Sequence, residues 1–390
     1  MKRSEYVNLI KKDKNINFIG TVNTPWHVLG LESLINRLEN KGIKLRGYIF
    51  ICSFEYKKDG ISHYVSDKNF SYKNKNIKKI YTYYEGRNNI NKINTIKSIR
   101  NYLKNKNKYK EDIYIANCSN PDWSWIDIIQ KAHLDKLINY LVYDEGIGTI
   151  NLRSILGMYD KRIVFMPNKK NSLIERAKAY VEAIVEYNIN NYLENKFLLD
   201  NAFINHNLFR KDNNCIIVNE KAKKYYINVL KRQAKKIKDD DHYANALLIN
   251  TQLAFEDSIE EKYIYKLIDI AKKNNRKVVI KPHPRDTNIK RLKKYHCYID
   301  TRKEISQEVI IASLKQKPLC CVGVGSTTLI TLKMFYDMPT ICLSKLAYSY
   351  YQDKTTDKKL FENFINDYEN YINMPKTENE LMYEVEKKLK

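Results

Sequence analysis

Lys277-Val278-Val279-Ile280-Lys281-Pro282-His283-Pro284-Arg285-Asp286 reads as a short buried strand that stops at a stiffened, cationic loop. Apolar residues without polar alternation suit a strand covered on both faces, as in a parallel sheet. Working outward, the same pattern returns at Ala246 to Asn250, Leu319 to Val322 and Thr340 to Leu343, with helix-like segments at Ile259 to Lys273 and Thr327 to Tyr336. An earlier series has strand candidates at Asn17 to Thr21, Gly47 to Cys52, Asp112 to Ala116 and Leu141 to Tyr143. Its first helix, Pro25 to Asn40, carries Leu29, Leu31, Leu34, Ile35 and Leu38 at helical spacing and ends before Gly42. Short apolar runs alternating with longer amphipathic segments predict an α/β protein with two Rossmann-like halves. The expected limits are 1–200 and 201–350, joined in the Asn- and Lys-rich region between Asn188 and Asn214. A helical tail over 351–390 is expected to pack back on the N-terminal domain.

At 390 residues and 43% hydrophobic, the chain can build two buried cores, which excludes a peptide or a small disulfide scaffold. Its 69 basic and 45 acidic residues give a net charge of +24, which points to negatively charged partners. With 12% aromatic residues it is no disordered basic arm. No stretch approaches 18 consecutive apolar residues, and the N-terminal residues lack the apolar core of a signal peptide, so the expected location is cytoplasmic. The seven cysteines are scattered without a CxxC pair and read as core thiols. Asp239, Asp240, Asp241 and His242 look like metal ligands on paper but follow the Lys-rich segment Lys221 to Lys238, and a solvated loop is expected there.

In open α/β sheets, ligands bind beyond the carboxyl ends of the strands. Three such places carry unusual residues. Leu137 to Tyr143 runs into Asp144-Glu145-Gly146, an acid pair from which one carboxylate can act as a general base while the other orients it or caps the next segment. In Lys281-Pro282-His283-Pro284, two prolines hold an imidazole in place, suited to meeting a phosphate with Lys281 and Arg285 nearby. Val322-Gly323-Val324-Gly325-Ser326-Thr327-Thr328 leaves a strand through two glycines and enters a helix with Ser326 at the N-cap, an anion site in type. It is neither a Walker A loop nor a full GxGxxG, since Thr328 stands where the third glycine belongs. No DxD-type pair lies on a credible metal-binding loop. Together the three places predict a metal-independent transferase acting on a nucleotide-linked substrate in a two-domain cleft.

An acid pair with glycine, an HP loop 138 positions later and a downstream Ser/Thr pair resemble the D/E-D/E-G, HP and S/T motifs of bacterial sialyltransferases. Length and wide spacing are most similar to the capsular polysialyltransferases. Thr21-Val22-Asn23-Thr24-Pro25-Trp26-His27 is similar to the N-terminal loop of that group. The resemblance spans about Thr21 to Thr328. It implies a GT-B fold, two Rossmann-like domains facing across a cleft, with the acceptor held mainly by the N-terminal half and CMP-sialic acid by the C-terminal half. It also implies inversion without a metal or other cofactor. Glu145 would then be the general base and His283 the group that binds and protonates the departing CMP phosphate, with Asp144 and Gly146 in support. Lys281, Pro284, Gly325, Ser326 and Thr327 would line the donor phosphate, and Asn23, Thr24 and His27 the acceptor.

The charge is uneven: Lys57 to Lys110 holds 15 basic and three acidic residues, interleaved with tyrosines. Lys68, Lys73 and Lys75 in this stretch are expected to meet an anionic, sialylated glycan acceptor. Lys221 to Lys238, with eight basic residues and no acid, reads as a helix face for an anionic membrane. The expected activity is elongation of a bacterial capsular polysialic acid, with peripheral contact to the inner membrane or the capsule assembly machinery. Alternatives are single addition to a lipooligosaccharide, a teichoic-type CDP-alditol phosphotransferase, against which the acid pair with glycine argues, and more remotely a nucleic-acid-binding protein. No nucleic-acid-binding module is recognisable, and none is expected as a partner.

Overall fold

The computed structural model describes residues 3–56, 60–62, 65–83, 92–118, 121–144, 173–199, 203–212, 215–251, 259–284, 286, 288–350, 362 and 364–390. The chain divides into two compact units, Met1–Leu208 with Asn219–Tyr226, and Phe209–Val218 with Ile227–Lys390.

The first unit runs α1 (Arg3–Lys11), β1 (Phe18–Val22), α2 (Pro25–Glu39), β2 (Gly47–Tyr56), β3 (Gly60–Ser62), β4 (Ile77–Tyr83), α3 (Lys92–Asn105), β5 (Glu111–Cys118), α4 (Ser124–Lys131), β6 (Lys136–Tyr143), α5 (Leu173–Leu199) and β7 (Phe203–His206). The strands lie in the order β4-β2-β1-β5-β6-β7, all parallel, with β3 antiparallel to the end of β2. Side chains alternate between two cores. Phe18, Ile49, Ile51, Leu141 and Tyr143 pack with Leu31, Leu34 and Leu38 of α2. Ile19, Tyr48, Phe50, Ile115 and Tyr140 pack with Ile10, Ile99, Trp125 and Phe197 from the other helices. With both faces covered, the strands must be apolar throughout, which is why they read as runs. Thr24 caps α2 by accepting the His27 N–H, and Pro25 opens the helix. Where β2 begins, Gly47 allows backbone contact with β1, since an added Cβ would lie 1.9 Å from Phe18 O.

In the second unit, β8 (Phe209–Asp212) and β9 (Cys215–Val218) form an antiparallel hairpin. Helix α6 (Glu220–Ala234) begins in the first unit and ends in the second. There follow β10 (Leu247–Asn250), α7 (Ile259–Lys273), β11 (Val278–Lys281), β12 (Tyr298–Ile299), α8 (Gln307–Ser313), β13 (Cys320–Gly323), α9 (Thr327–Tyr336), β14 (Thr340–Cys342), α10 (Ser344–Tyr350) and α11 (Glu378–Leu389). The second sheet is parallel, in the order β12-β11-β10-β13-β14. The eight strands and three helices expected from the sequence are present, with ends shifted by a few residues at most save in β6, which starts five residues earlier at Lys136. The α/β class with two Rossmann-like units is therefore as expected.

The chain first passes from one unit to the other at Leu208–Phe209, inside the Asn- and Lys-rich region expected to join the halves; the rest of that region includes the last turns of the 27-residue α5 and β7, the outermost strand of the first sheet. Asn disfavours a helix interior only by a fraction of a kcal/mol, which burial of Leu193 and Phe197 outweighs. Of the tail, α11 buries Leu381, Val385 and Leu389 in the second core, worth roughly 1.5–3 kcal/mol each.

At the end of β7, His206 is fully buried, with Nε2 2.8 Å from Ser33 Oγ and Nδ1 3.3 Å from Arg37 Nη1. Arg37 can only donate, so Nδ1 accepts and Nε2 carries the proton, while Ser33 donates to Gly30 O. Burial first, then the Arg37 charge, lowers His206 to about 3. The unfolded histidine titrates near 6.5, so stability from this group is full above that pH and falls as pH drops toward 3. Urea unfolding should show about 2 kcal/mol less stability from this source at pH 5 than at pH 7.5. His206→Gln should flatten that difference, and an unchanged slope in the variant would rule out His206 as its origin.

Candidate functional site

Parallel strands deliver all their following loops to one end of the sheet. In the first unit, the residues beyond β1 and β6 meet there. Tyr143 donates its hydroxyl to Thr21 O, and the His27 ring lies edge-on to Tyr143 at 6.3 Å. The Asn23 N–H donates to His27 Nδ1 at 3.2 Å. Gly30 brings α2 close, since a Cβ there would sit 2.5 Å from Tyr143 Cδ2. Asp144 is completely buried; its Oδ2 accepts the Leu208 N–H, and its own N–H donates to Tyr226 Oη at 3.4 Å. Asp144 thus ties the chain leaving β6 to the chain leaving β7. Asn23, Thr24, His27 and Asp144 are brought to one end of one sheet. Glu145 and Gly146 lie outside the described residues.

Lys68, Lys73 and Lys75 are not part of this group. All three are exposed on the connection entering β4. Tyr72, between them and α2, donates to Glu39 at the C-terminus of α2, and Asn74 donates to Leu45 O just before β2. Lys73 and Lys75 therefore sit at the amino end of the sheet, roughly a strand length or about 13 Å from the Asp144 end. The tyrosines are not stacking platforms as a group: Tyr102 is a core residue at 1% exposure, whereas Tyr81 is 45% exposed. The cations of α3 do form a face, with Lys97, Arg100 and Lys104 exposed.

The second unit gathers the other motifs. Asn250 of β10 is paired in register with Lys281 of β11 on one side and Gly323 of β13 on the other. Beyond β13, Gly325 has φ +43°, a left-handed conformation that favours glycine. Ser326 then caps α9, its Oγ accepting the Thr328 N–H at 3.3 Å. Ser326 and Thr327 are half-buried, and α9 has no acid in its first turn, so its N-terminus keeps its positive end. Beyond β11, His283 is half-buried and Pro284 exposed; His283 O accepts the Asp286 N–H at 2.9 Å, closing the loop.

Lys281 is engaged within the protein. Its ammonium is buried, donates to Arg302 O at 2.6 Å and lies 3.4 Å from Asp300 Oδ1. Burial, opposed by Asp300, lowers it. Arg302 grips Asp300 through Nε and Nη2, and Tyr243 donates to Asp300 Oδ2 at 2.5 Å. Burial would raise the Asp300 carboxyl, but the Arg302 hydrogen bonds and the Lys281 charge bring it down to about 2. On the far side of the loop, Arg291 Nη1 reaches both oxygens of Asp286 at 2.7 and 2.6 Å. The His283 loop is held at both ends by ion pairs, and Lys281 positions it from behind. Asp300, Arg302 and Arg291 were not anticipated from sequence; for Asp300 and Arg302 the one signal is the opposed charges two residues apart after Ile299.

Asp239–His242 forms the expected turn, Asp240 pairing with His242 and Arg302. Among the described residues no group of three His, Cys, Asp or Glu side chains could hold a metal ion. None of the described helices is long and apolar enough to cross a membrane. A cavity of about 380 Å³ lined by Asn17, Glu111, Tyr114 and Lys136 lies at the amino ends of β1, β5 and β6, the end where parallel sheets do not build active sites.

Residues 18–345 match the alpha-2,8-polysialyltransferase (POLYST) family, and the chain belongs to that family. The family is one of sialyltransferases, which are glycosyltransferases. Among solved structures, a sialyltransferase from Photobacterium damsela is similar over 92% of this chain and 81% of its own, at 12% identity and TM-score 0.41. An alpha/beta-galactoside alpha-2,3-sialyltransferase from Photobacterium phosphoreum is similar over 92% and 97%, at 14% identity and TM-score 0.39. Non-toxic nonhemagglutinin type D of Clostridium botulinum D phage is 25% identical over 103 residues, which is 25% of this chain and 8% of that protein. The family match carries the assignment.

The ion-pair cluster generates an asymmetric expectation. Asp300→Asn leaves the buried Lys281 ammonium facing a neutral group, while Arg302 keeps Asp240, and should cost roughly 3 kcal/mol or more in denaturant unfolding at pH 7. Lys281→Met should cost less, about 1 kcal/mol, because Arg302 still holds Asp300. The wild-type advantage over Asp300→Asn should persist above about pH 4 and fade toward pH 2 as the native carboxyl protonates. Equal costs for the two variants would contradict this division of roles.

Proposed function

We propose that this member of the alpha-2,8-polysialyltransferase family transfers sialic acid from CMP-sialic acid to a sialylated glycan, with inversion and without a metal, elongating a bacterial capsular polysaccharide. The observation that carries the reading is the pairing of β11 and β13 on either side of β10, which sends the His283 loop and the Ser326-capped helix out of one sheet end. Two strand spacings, roughly 10 Å, separate the two strands. That span suits groups closing on a phosphate ester from two sides.

In this reading the acceptor hydroxyl oxygen attacks the sialyl anomeric carbon as the bond from that carbon to the CMP phosphate oxygen breaks. One displacement inverts the configuration. Glu145 takes the hydroxyl proton, a role that rests on the match of Asp144-Glu145-Gly146 to the family motif. Negative charge grows on the departing phosphate, where His283 supplies a proton or positive charge and the Ser326 and Thr327 hydroxyls and the first N–H groups of α9 supply donors. With positive charge built into the chain, the phosphate needs no bridging cation. Pro284 stiffens the His283 loop, Gly325 lets the backbone turn into the helix, and Lys281 anchors the loop through Asp300. The capsular role places the enzyme in the cytoplasm, at the inner face of the membrane.

Incubated with CMP-sialic acid and an oligosialic acceptor in excess EDTA, the protein should release CMP and lengthen the acceptor at the rate seen with added Mg²⁺. Chelation that abolishes turnover, restored by a divalent ion, would overturn metal independence. Glu145→Gln and His283→Ala should each lower kcat by about 10²–10⁴ with the unfolding midpoint held. Folded variants of wild-type rate would remove these residues from the chemistry.

A further inference from the structure

The carboxyl end of the first sheet holds more buried polar atoms than its hydrogen bonds use. Asn117 of β5 donates Nδ2–H to Thr21 Oγ1 at 3.2 Å, but its Oδ1 is buried without a partner. Asn207, one residue beyond β7 and 2% exposed, uses its backbone fully, with N–H to Asn205 Oδ1 and its carbonyl accepting Asn219 Nδ2. Neither Oδ1 nor Nδ2 of the Asn207 side chain meets a partner, and the indole N–H of Trp26 is buried without one as well. Such groups carry their desolvation penalty uncompensated, and folds retain few of them.

Each of these three residues is linked to the Tyr143–Asp144 corner through one neighbour. Thr21, the partner of Asn117, also accepts the Tyr143 hydroxyl. The Trp26 ring lies 5.8 Å from that of Tyr226, whose hydroxyl takes the Asp144 N–H. Asp144 holds the N–H of Leu208, the residue after Asn207.

We infer that Trp26, Asn117 and Asn207 form the subsite for the acceptor's terminal glycosyl ring, recognised through its hydroxyl and N-acetyl groups and not through charge. The inference rests on the sialyl-transfer reading above. The unmet atoms include both acceptors and donors: two amide oxygens, one amide NH₂ and one indole N–H. Phosphate and carboxylate oxygens only accept, so they leave the Asn207 Oδ1 unmet whichever way its amide is turned. Sugar hydroxyls donate and accept, and an N-acetyl group offers one of each. Trp26 and Tyr226 add aromatic surface of the kind that covers the apolar face of a sugar ring.

A ligand subsite and a structural role have opposite stability signatures. Asn207→Leu removes two unmet polar atoms at similar volume, so it should leave the unfolding midpoint unchanged or raise it. It should nonetheless weaken binding of an α2,8-linked sialic acid oligomer, read by calorimetry on the full chain, about tenfold or more. In turnover, the acceptor KM should rise by a similar factor with the donor KM changed less than about twofold. Trp26→Phe, which keeps a ring and removes only the N–H, provides a second arm with roughly a three- to tenfold loss of oligomer binding. A lowered midpoint for Asn207→Leu, or oligomer binding untouched in both folded variants, overturns the subsite. Absence of CMP release from CMP-sialic acid by the wild type overturns the sialyl-transfer reading instead, and oligomer binding by calorimetry still decides the subsite.

Discussion

Parallel pairing of β10 with both β11 and β13 is the constraint on which the second unit depends. Asn250, Lys281 and Gly323 share one rung, so the chain leaves β11 and β13 at the same height and in the same direction. Had either neighbour run antiparallel, the His283 loop and the α9 N-terminus would emerge at opposite ends of the sheet. The strand order also reverses here, β11 and β12 lying on one side of β10 and β13 and β14 on the other. Crossovers leave such a point in opposite directions, which opens a crevice between the loops. Gly323 fits the close packing of that rung, where an added Cβ would lie 3.1 Å from Asn250 O.

What the sequence made legible follows from what a buried strand must look like. Strands covered on both faces are continuous apolar runs, so those carrying the motifs could be placed to within a few residues at the end where each motif begins. The loops were legible because glycine, proline and a capping serine each answer a specific backbone demand. Burial of a charge is different. Lys281 reads as a surface cation beside His283, and nothing local says that Asp300 waits for it 19 positions later. The strand that carries Asp300 into place, β12, has two residues and leaves no periodic signal. Tyr102, one of the tyrosines among the lysines, points into the core while Arg100, Asn101 and Lys104 around it are exposed, a difference that composition does not show. The unmet atoms of Asn117 and Asn207 are invisible in sequence altogether, since an asparagine's meaning lies in which partners it lacks. Glu145 was legible as part of a motif and lies outside the described residues.

The two histidines at strand ends show why residue type alone does not assign chemistry. His206 is dry, faces a guanidinium and stays neutral well below physiological pH, so it cannot lend a proton to a leaving group. His283 sits half-buried on a loop held by the Lys281–Asp300 and Arg291–Asp286 ion pairs, which fix it without involving its own ring. Pre-organisation of this kind keeps a donor aimed at where charge develops and lowers the reorganisation needed at that moment.

The net charge of +24 takes on a different meaning once its position is known. Lys73 and Lys75 lie about a strand length from the Asp144 end, beyond the Debye length of roughly 8 Å at physiological salt. Exposed cations at that distance contribute little to the energy of a ring bound at the site. They do raise the rate at which a polyanion is encountered, an effect that fades with salt. Discrimination between acceptor ends must then come from short-range contacts, and the groups present for that purpose at the proposed subsite are uncharged. The division is physically reasonable for an enzyme that extends a polymer: if binding energy came mainly from charge along the chain, every internal position would compete with the end. Hydrogen bonds that only a terminal ring can complete, supplied by Asn117, Asn207 and Trp26, favour the one position where the new bond has to form.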